Sequence, residues 1–213
     1  FVAEAKKQVF GKVGIDMLAG PSEVVVLADG NSSPKLCASD LLAQAEHDPN
    51  ARAILITTSK ENAEQTLHEI SEQFKAFKQD SPVFESWDKH GEIIIAENEA
   101  ELIQVSDEIA GEHIHVHCQN YEEICNQLNN FGSLFLGENS SVVFSDKVSG
   151  TNHTLPTNKA SRFTGGLWVG TYLKVATFQE ISGEGIDLLA NHSVQQSNIE
   201  GLHGHKMSAF NRL

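Results

Sequence analysis

The side chains of this sequence best suited to chemistry begin in GEHIHVHC, Gly111 to Cys118, where histidines at 113, 115 and 117 follow a glutamate. On a strand, residues two apart face the same way, so three imidazoles could be turned toward one ion. Three ligands in a row on one strand span about 13 Å, however. That is too wide for one zinc at ~2 Å per bond without a sharp bend. His115 and His117 are therefore expected to be strand surface, polar residues on a solvent-facing side. Glu112-His113 differs, because a carboxylate and an imidazole where a loop enters a strand make a natural acid/base pair.

Three further stretches carry candidates. In SDLLAQAEHDPN, Gln44 and His47 lie three apart on an expected helix, so their side chains share a face and can converge near its C-terminal end. A histidine at that place serves equally well as a partner of the helix dipole. FSDKVSGTNHTLP (144–156) reads as a loop carrying Asp146 and His153, and EGLHGHKMS (200–208) carries Glu200, His203 and His205. Each stretch alone leaves site and surface readings open.

The elements that must position these residues alternate. Val2, Ala5, Val9 and Val13 space an opening helix. EVVVLAD (23–29) reads as a buried strand, and Ser33-Pro34 supplies an N-cap and first residue for a helix running to about His47. Strands at 52–58, 92–97, 113–117 and 133–137 then alternate with helices at 61–78, 98–109 and 121–130. This pattern implies an α/β fold, a mostly parallel sheet flanked by helices, with pockets beyond the carboxyl ends of its strands. Residues 138–170, rich in Ser, Gly, Thr and Asn, should be loop. A helical tail over 171–213 has too few apolar residues for a core of its own and should pack on another domain or chain. The expected division is 1–21 as the end of a truncated domain, 22–170 as the α/β domain and 171–213 as the tail.

Composition narrows the class. With 29 acidic against 15 basic residues in 213, the formal charge of −14 argues against nucleic acid as a partner. No apolar run approaches membrane-spanning length. Three scattered cysteines, Cys37, Cys118 and Cys125, fit neither a disulfide framework nor a thiolate zinc site and suit a reducing cytoplasm.

Taken together, FVAEAKKQV, IDMLAGPSEVVVLAD, SDLLAQAEHDP, GEHIHVH, GSLFLGENSSVVFSDKVSGTNHTLPT and EGLHGHK resemble, in order and spacing, the C-terminal half of the histidinol dehydrogenase family. The resemblance implies an incomplete Rossmann-like domain and an NAD- and zinc-dependent enzyme that oxidises a small-molecule alcohol through a bound aldehyde to a carboxylate in two hydride transfers. It implies Gln44, His47, Asp146 and His205 as zinc ligands. His113 becomes the base for the hydroxyl proton, and Glu112 activates water. Ser22, His153 and Glu200 fall at substrate-contacting positions, alongside Gln44, His47, His113, Asp146 and His205. A homodimer is implied, in which the tail lends His205 and Glu200 to the partner's site. The nicotinamide pocket is expected mainly in an N-terminal half outside this sequence, with no NAD-contacting residue assigned here. FTGGLWVG lacks the GxGxxG spacing of a phosphate loop.

One departure bears on substrate. Where histidinol enzymes read P-E-x-x-G-D-Y around the zinc aspartate, this chain reads SVVFSDK, with Val142 for Glu and Lys147 for Tyr. Losing one negative and gaining one positive charge favours an anionic substrate, by a few kcal/mol at ~4 Å separations. The form resembles the branch that oxidises 2,3-dihydroxypropane-1-sulfonate to sulfolactate, with Lys147 and Arg162 as candidate anion contacts. L-histidinol is the alternative substrate, and a non-catalytic metal-binding remnant is the alternative class.

Overall fold

The computed structural model describes all residues, 1–213. Five strands, β1 (Glu23–Ala28), β2 (Arg52–Thr57), β3 (Gly91–Ile95), β4 (His113–Val116) and β5 (Ser133–Leu136), form one parallel sheet in the order β3-β2-β1-β4-β5. That is the doubly wound order through its fifth strand. The α/β class and the position of every strand agree with the sequence reading to within two residues.

β1 is the central strand, paired with β2 on one side and β4 on the other. All six of its residues are buried, as a strand covered on both faces requires. On one face Val24, Val26 and Ala28 pack against Cys37, Ala38, Leu41 and Ala45 of α2 (Pro34–Ala45). On the other, Val25 and Leu27 join Ile114, Val116 and Leu102, the last from α5 (Glu99–Ile109). Parallel register sets His113 beside Val24 and His115 beside Val26. The histidines of β4 therefore point to the α2 side, while Ile114 and Val116 fill the α5 side.

Helix starts follow from capping chemistry. The Ser33 side chain accepts from the Leu36 amide with Pro34 at the first helical position, and Asn98 caps α5 in the same way through the Glu101 amide. Two helices lie where the sequence reading has none. α4 (Pro82–His90) begins on Ser81-Pro82, the same signal that starts α2. α7 (Val142–Lys147) is a six-residue helix inside the expected loop. Conversely, α3 (Lys60–Gln73) stops short of residue 78 and passes into a 3-10 turn, and α6 (Tyr121–Cys125) has only five residues.

Residues Phe1–Tyr172 form one compact unit and Leu173–Leu213 a second. In the first, α1 (Val2–Val9) buries no residue. In the second, α8 (Gly183–Ile199) packs on α9 (His203–Phe210), yet α8 buries only Ala190 and Ser197 and α9 nothing. No helix is long and apolar enough to cross a membrane.

The junction before β5 is tight where it meets Glu112. The Ser133 amide donates to the Glu112 carbonyl at 2.8 Å, and a Cβ on Gly132 would stand 2.5 Å from that same oxygen and 3.1 Å from Pro156 Cδ. Gly132→Ala should therefore push the β4–β5 junction apart at Glu112. The expected loss is about 1–3 kcal/mol of stability, read as a lower melting temperature. An unchanged melt would show that the junction yields freely.

Candidate active site and metal centre

Glu112 and His113 enter β4 beside the start of β1, and one residue, Glu23, holds both through its backbone. Its N–H donates to Glu112 Oε2 at 2.9 Å, and its carbonyl lies 2.9 Å from His113 Nδ1. A carbonyl only accepts, so Nδ1 carries the imidazole proton and Nε2 is left with its lone pair. Glu112 Oε2 is 3.5 Å from His113 Nδ1, and both side chains are buried.

Burial displaces the two groups in opposite directions. Loss of solvent pushes the Glu112 carboxyl up to about 7, helped by the negative charges of Glu23 and Asp146 and opposed by the Glu23 N–H. The same loss pushes His113 down to about 4, against the hydrogen bond to the Glu23 carbonyl. Both changes favour neutral forms, and a carboxyl balanced near neutral pH is suited to moving protons. Glu23, which the sequence reading passed over, is itself buried. Its Oε1 accepts from the Asn158 amide at 3.3 Å, its Oε2 has no partner, and burial raises its pKa.

The loop that follows α7 closes on the same edge of the sheet. Thr157 Oγ1 accepts from the Gly20 amide at 2.6 Å, and Asn158 reaches Glu23. At this edge Asp146 Oδ2 stands 3.9 Å from His47 Nε2, and Oδ1 stands 3.0 Å from His153 Nδ1. The latter contact is out of line for a hydrogen bond, so Asp146 Oδ1 is buried without a partner. Gln44, one turn before His47 at the end of α2, is buried. The sequence-predicted residues Gln44, His47, Glu112, His113, Asp146 and His153 thus belong to one region, at the amino ends of β1 and β4. The expectation of a pocket beyond the carboxyl ends is corrected: α2 runs antiparallel to the strands and delivers its C-terminal residues to the opposite edge. At the carboxyl edge the amide of Ser33, the N-cap of α2, is already taken, because it donates to the Glu138 carboxylate.

His115 and His117 are not strand surface. They are 0% and 3% exposed, covered by α2, and they converge on Asp40, which the sequence reading also passed over. Asp40 Oδ2 lies 2.8 Å from His115 Nδ1 and 3.0 Å from His117 Nε2, and Oδ1 accepts from Ser141 Oγ at 2.8 Å. Burial alone would raise the Asp40 carboxyl, but the bonds from His115, His117 and Ser141 hold it well below the usual carboxylate range. Asp40 and Gln44 fall at i and i+4 on the buried side of α2, with His47 one turn further just past its end, so one line of polar residues along that helix is the signal that could have found it.

Two donor sets could hold a cation. Gln44, His47 and Asp146 offer an amide, an imidazole and a carboxylate, and the unpartnered Asp146 Oδ1 is a ligand atom in waiting. Donors in a tetrahedral zinc shell sit about 3.3 Å apart, close to the 3.9 Å between His47 and Asp146. This donor chemistry fits zinc. Asp40, His115 and His117 form the second set, with ligand atoms within 4.8 Å of one another.

The whole chain, residues 1–213, matches the model of the protein family described as Histidinol dehydrogenase. The chain belongs to the histidinol dehydrogenase family. A histidinol dehydrogenase homolog of Shouchella clausii is 44% identical over 213 residues, covering 100% of this chain and 50% of that protein. A histidinol dehydrogenase of Listeria monocytogenes is 44% identical over 205 residues, covering 96% of this chain and 48% of that protein. The crystal structure of histidinol dehydrogenase from Elizabethkingia anophelis superposes with a TM-score of 0.87 at 35% identity, over 100% of this chain and 49% of that one. The chain spans about half the length of the curated relatives it matches. Enzymes of the histidinol dehydrogenase family use NAD and zinc.

The remaining candidates are placed as follows. Ser22 precedes β1, and its carbonyl accepts from the Arg52 amide at 3.0 Å. Glu200 and His205 line one concavity of the tail unit, together with Gln196 and Arg212. Val142 is buried and opens α7, whereas Lys147 at the end of that helix is exposed. Arg162 is exposed, and its Nη2 donates to the Glu108 carbonyl near the end of α5 at 2.8 Å. FTGGLWVG joins no strand to a helix.

The displaced carboxyl has a signature in stability. Because its folded-state value of about 7 lies above the ordinary 4.5, folding holds a proton between those values. Stability from this group therefore falls as pH rises from 4.5 to 7, and the full cost stands above 7. His113 works oppositely, losing stability as pH falls from 6.5 to about 4. Glu112→Gln keeps an acceptor for the Glu23 amide and removes the charge. The variant should gain up to roughly 3 kcal/mol over the parent at pH 8 and nothing at pH 4 in denaturant titrations. A gain of equal size at both pH values would contradict the assignment.

Proposed function

We propose that this chain carries the metal-binding and acid/base half of a zinc- and NAD-dependent dehydrogenase that takes a primary alcohol through its aldehyde to a carboxylate. The observation that carries the reading is the fixed tautomer of His113. With Nδ1–H held on the Glu23 carbonyl, Nε2 is a free base in a dry edge that also contains an unpartnered carboxylate oxygen of Asp146. Gln44, His47 and Asp146 would hold zinc, which when bound polarises the substrate oxygen. His113 Nε2 would take the hydroxyl proton, with NAD supplying the hydride acceptor when bound. Glu112, balanced near neutrality, then takes a proton from the water that adds to the aldehyde carbon. A second hydride to a second NAD completes a four-electron oxidation: one alcohol, one water and two NAD give one carboxylate, two NADH and three protons.

Completion of the site by a second subunit belongs to the same proposal. The tail unit leaves Phe178 98% and Ile199 87% exposed, which supports a partner surface for it. Such a partner would receive Glu200 and His205, the latter as the remaining zinc ligand.

For substrate, the DKVSGTNHTLPT form supports the diol sulfonate 2,3-dihydroxypropane-1-sulfonate, with exposed Lys147 beside Asp146 as its cationic feature. Val142 adds less to that reading than its sequence suggests, since it is a packed residue at a helix start. L-histidinol is supported as the second substrate by the equal similarity of the Listeria histidinol dehydrogenase, at 44%.

The protein in its full natural length should contain zinc and form two NADH per molecule of sulfonate diol, with little from histidinol, in parallel spectrophotometric assays. The opposite preference would replace the substrate and leave the reaction type. Bound zinc with no NADH from either alcohol would leave only a metal-binding remnant. His113→Asn should abolish turnover while zinc content holds, and normal turnover would remove His113 from the mechanism.

A further inference from the structure

We infer that Asp40, His115 and His117 form a closed hydrogen-bonded clasp that positions the metal ligands and the base, and that the three are not themselves a cation site. The inference rests on the reaction proposed above for the histidine and carboxylate residues at the sheet edge. Its ground is an accounting of donors and acceptors. The Val142 N–H donates to His115 Nε2 at 3.3 Å, which fixes the lone pair on Nε2 and the proton on Nδ1. That Nδ1–H then points at Asp40 Oδ2, 2.8 Å away. His117 directs Nε2 at the same oxygen from 3.0 Å, and its Nδ1 faces the thiol of Cys37 at 3.6 Å. Burial and the negative charge of Asp40 keep that thiol protonated, so with the His117 Nε2 proton turned to Asp40 the S–H can donate to the Nδ1 lone pair. Ser141 supplies the donor for Asp40 Oδ1. Every polar atom of the cluster has a partner, and no set of lone pairs is turned toward a shared empty centre. Asp146 Oδ1, by contrast, is buried with none.

The clasp joins the elements that carry the chemistry. Through Asp40 it grips α2 one turn before Gln44 and two before His47. Through Ser141 and Val142 it grips the start of α7, one turn before Asp146. Through His115 it grips β4 two residues beyond His113. A neutral imidazole is suited to the task, because it presents a donor and an acceptor on opposite sides and can span a carboxylate and an amide at once. Groups of this kind behind metal ligands set their orientation, and disturbing them typically weakens metal binding 10–100-fold.

His115→Asn tests the role, since the Asn amide can replace Nδ1–H toward Asp40 but leaves the Val142 amide without its acceptor. In the full-length protein, zinc affinity should fall about 10–100-fold and kcat should fall with it, while KM changes little and zinc still saturates at one per chain. Unchanged zinc affinity and unchanged kcat would overturn the clasp. So would a second zinc per chain in the parent that the variant loses, because the cluster would then be a metal site. A measurement without mutation guards against a variant that does not fold. Nitrogen-15 NMR of the metal-free protein should show His115 as the Nδ1–H tautomer, with its signals and those of His117 free of direct ligation shifts after one equivalent of zinc. The Nε2–H tautomer, or a ligation shift at either histidine, would overturn the inference. Should the parent bind zinc yet oxidise neither alcohol, the reaction fails, while tautomer and zinc affinity still decide the clasp.

Discussion

A carboxylate withdrawn from water stays charged only where donors surround its oxygens. Asp40 meets that condition with two imidazoles and a hydroxyl, drawn from β4, the residue just after it and the residue ahead of α7. The requirement ties three separate stretches of chain to one point on the α2 face of the sheet. Gln44, His47, His113 and Asp146 all lie within two helical turns or two strand residues of that point. Packing alone would not place them so sharply, because the apolar contacts of Val24, Val26 and Leu41 are tolerant of small shifts, whereas a hydrogen bond to a charged oxygen is directional.

A second constraint works one step away. Glu23 uses its N–H and carbonyl, groups that cannot rotate independently of β1, to hold Glu112 and His113 in fixed orientations. One dry environment then moves the two groups oppositely, the carboxyl up and the imidazole down. Two adjacent residues can thereby be proton acceptors at different stages of one reaction sequence. The geometry of β1 beside β4, fixed by the pairing of Val24 with His113, is what brings Glu23 within reach.

Much of this was legible in the sequence, and the gaps have physical causes. EVVVLA reads as a central strand because only a strand buried on both faces tolerates such a run. The family motifs pointed to Gln44, His47, Asp146 and the Glu112-His113 pair. His115 and His117 were misread because alternation in HIHV tells which residues share a face but not what covers that face. The cover is α2, and its Asp40 turns two polar side chains into buried ones. Nothing local to GEHIHVHC signals it. Ser81-Pro82 shows a different gap: the same start signal that marks α2 also starts α4, and Val83, Phe84 and Trp87 keep helical spacing, but the helix is only nine residues long and runs directly into β3. Glu23 acts largely through its backbone, which no side-chain pattern records. The edge of the sheet that holds the site follows from the direction of α2, a tertiary fact.

The central claim is that the open donor set, and not the closed one, holds the metal. Anomalous diffraction at the zinc edge from crystals of the full-length protein tests it directly. The account predicts one peak among Gln44, His47 and Asp146, with Asp40, His115 and His117 keeping their hydrogen bonds. A peak centred on Asp40, His115 and His117 would contradict it.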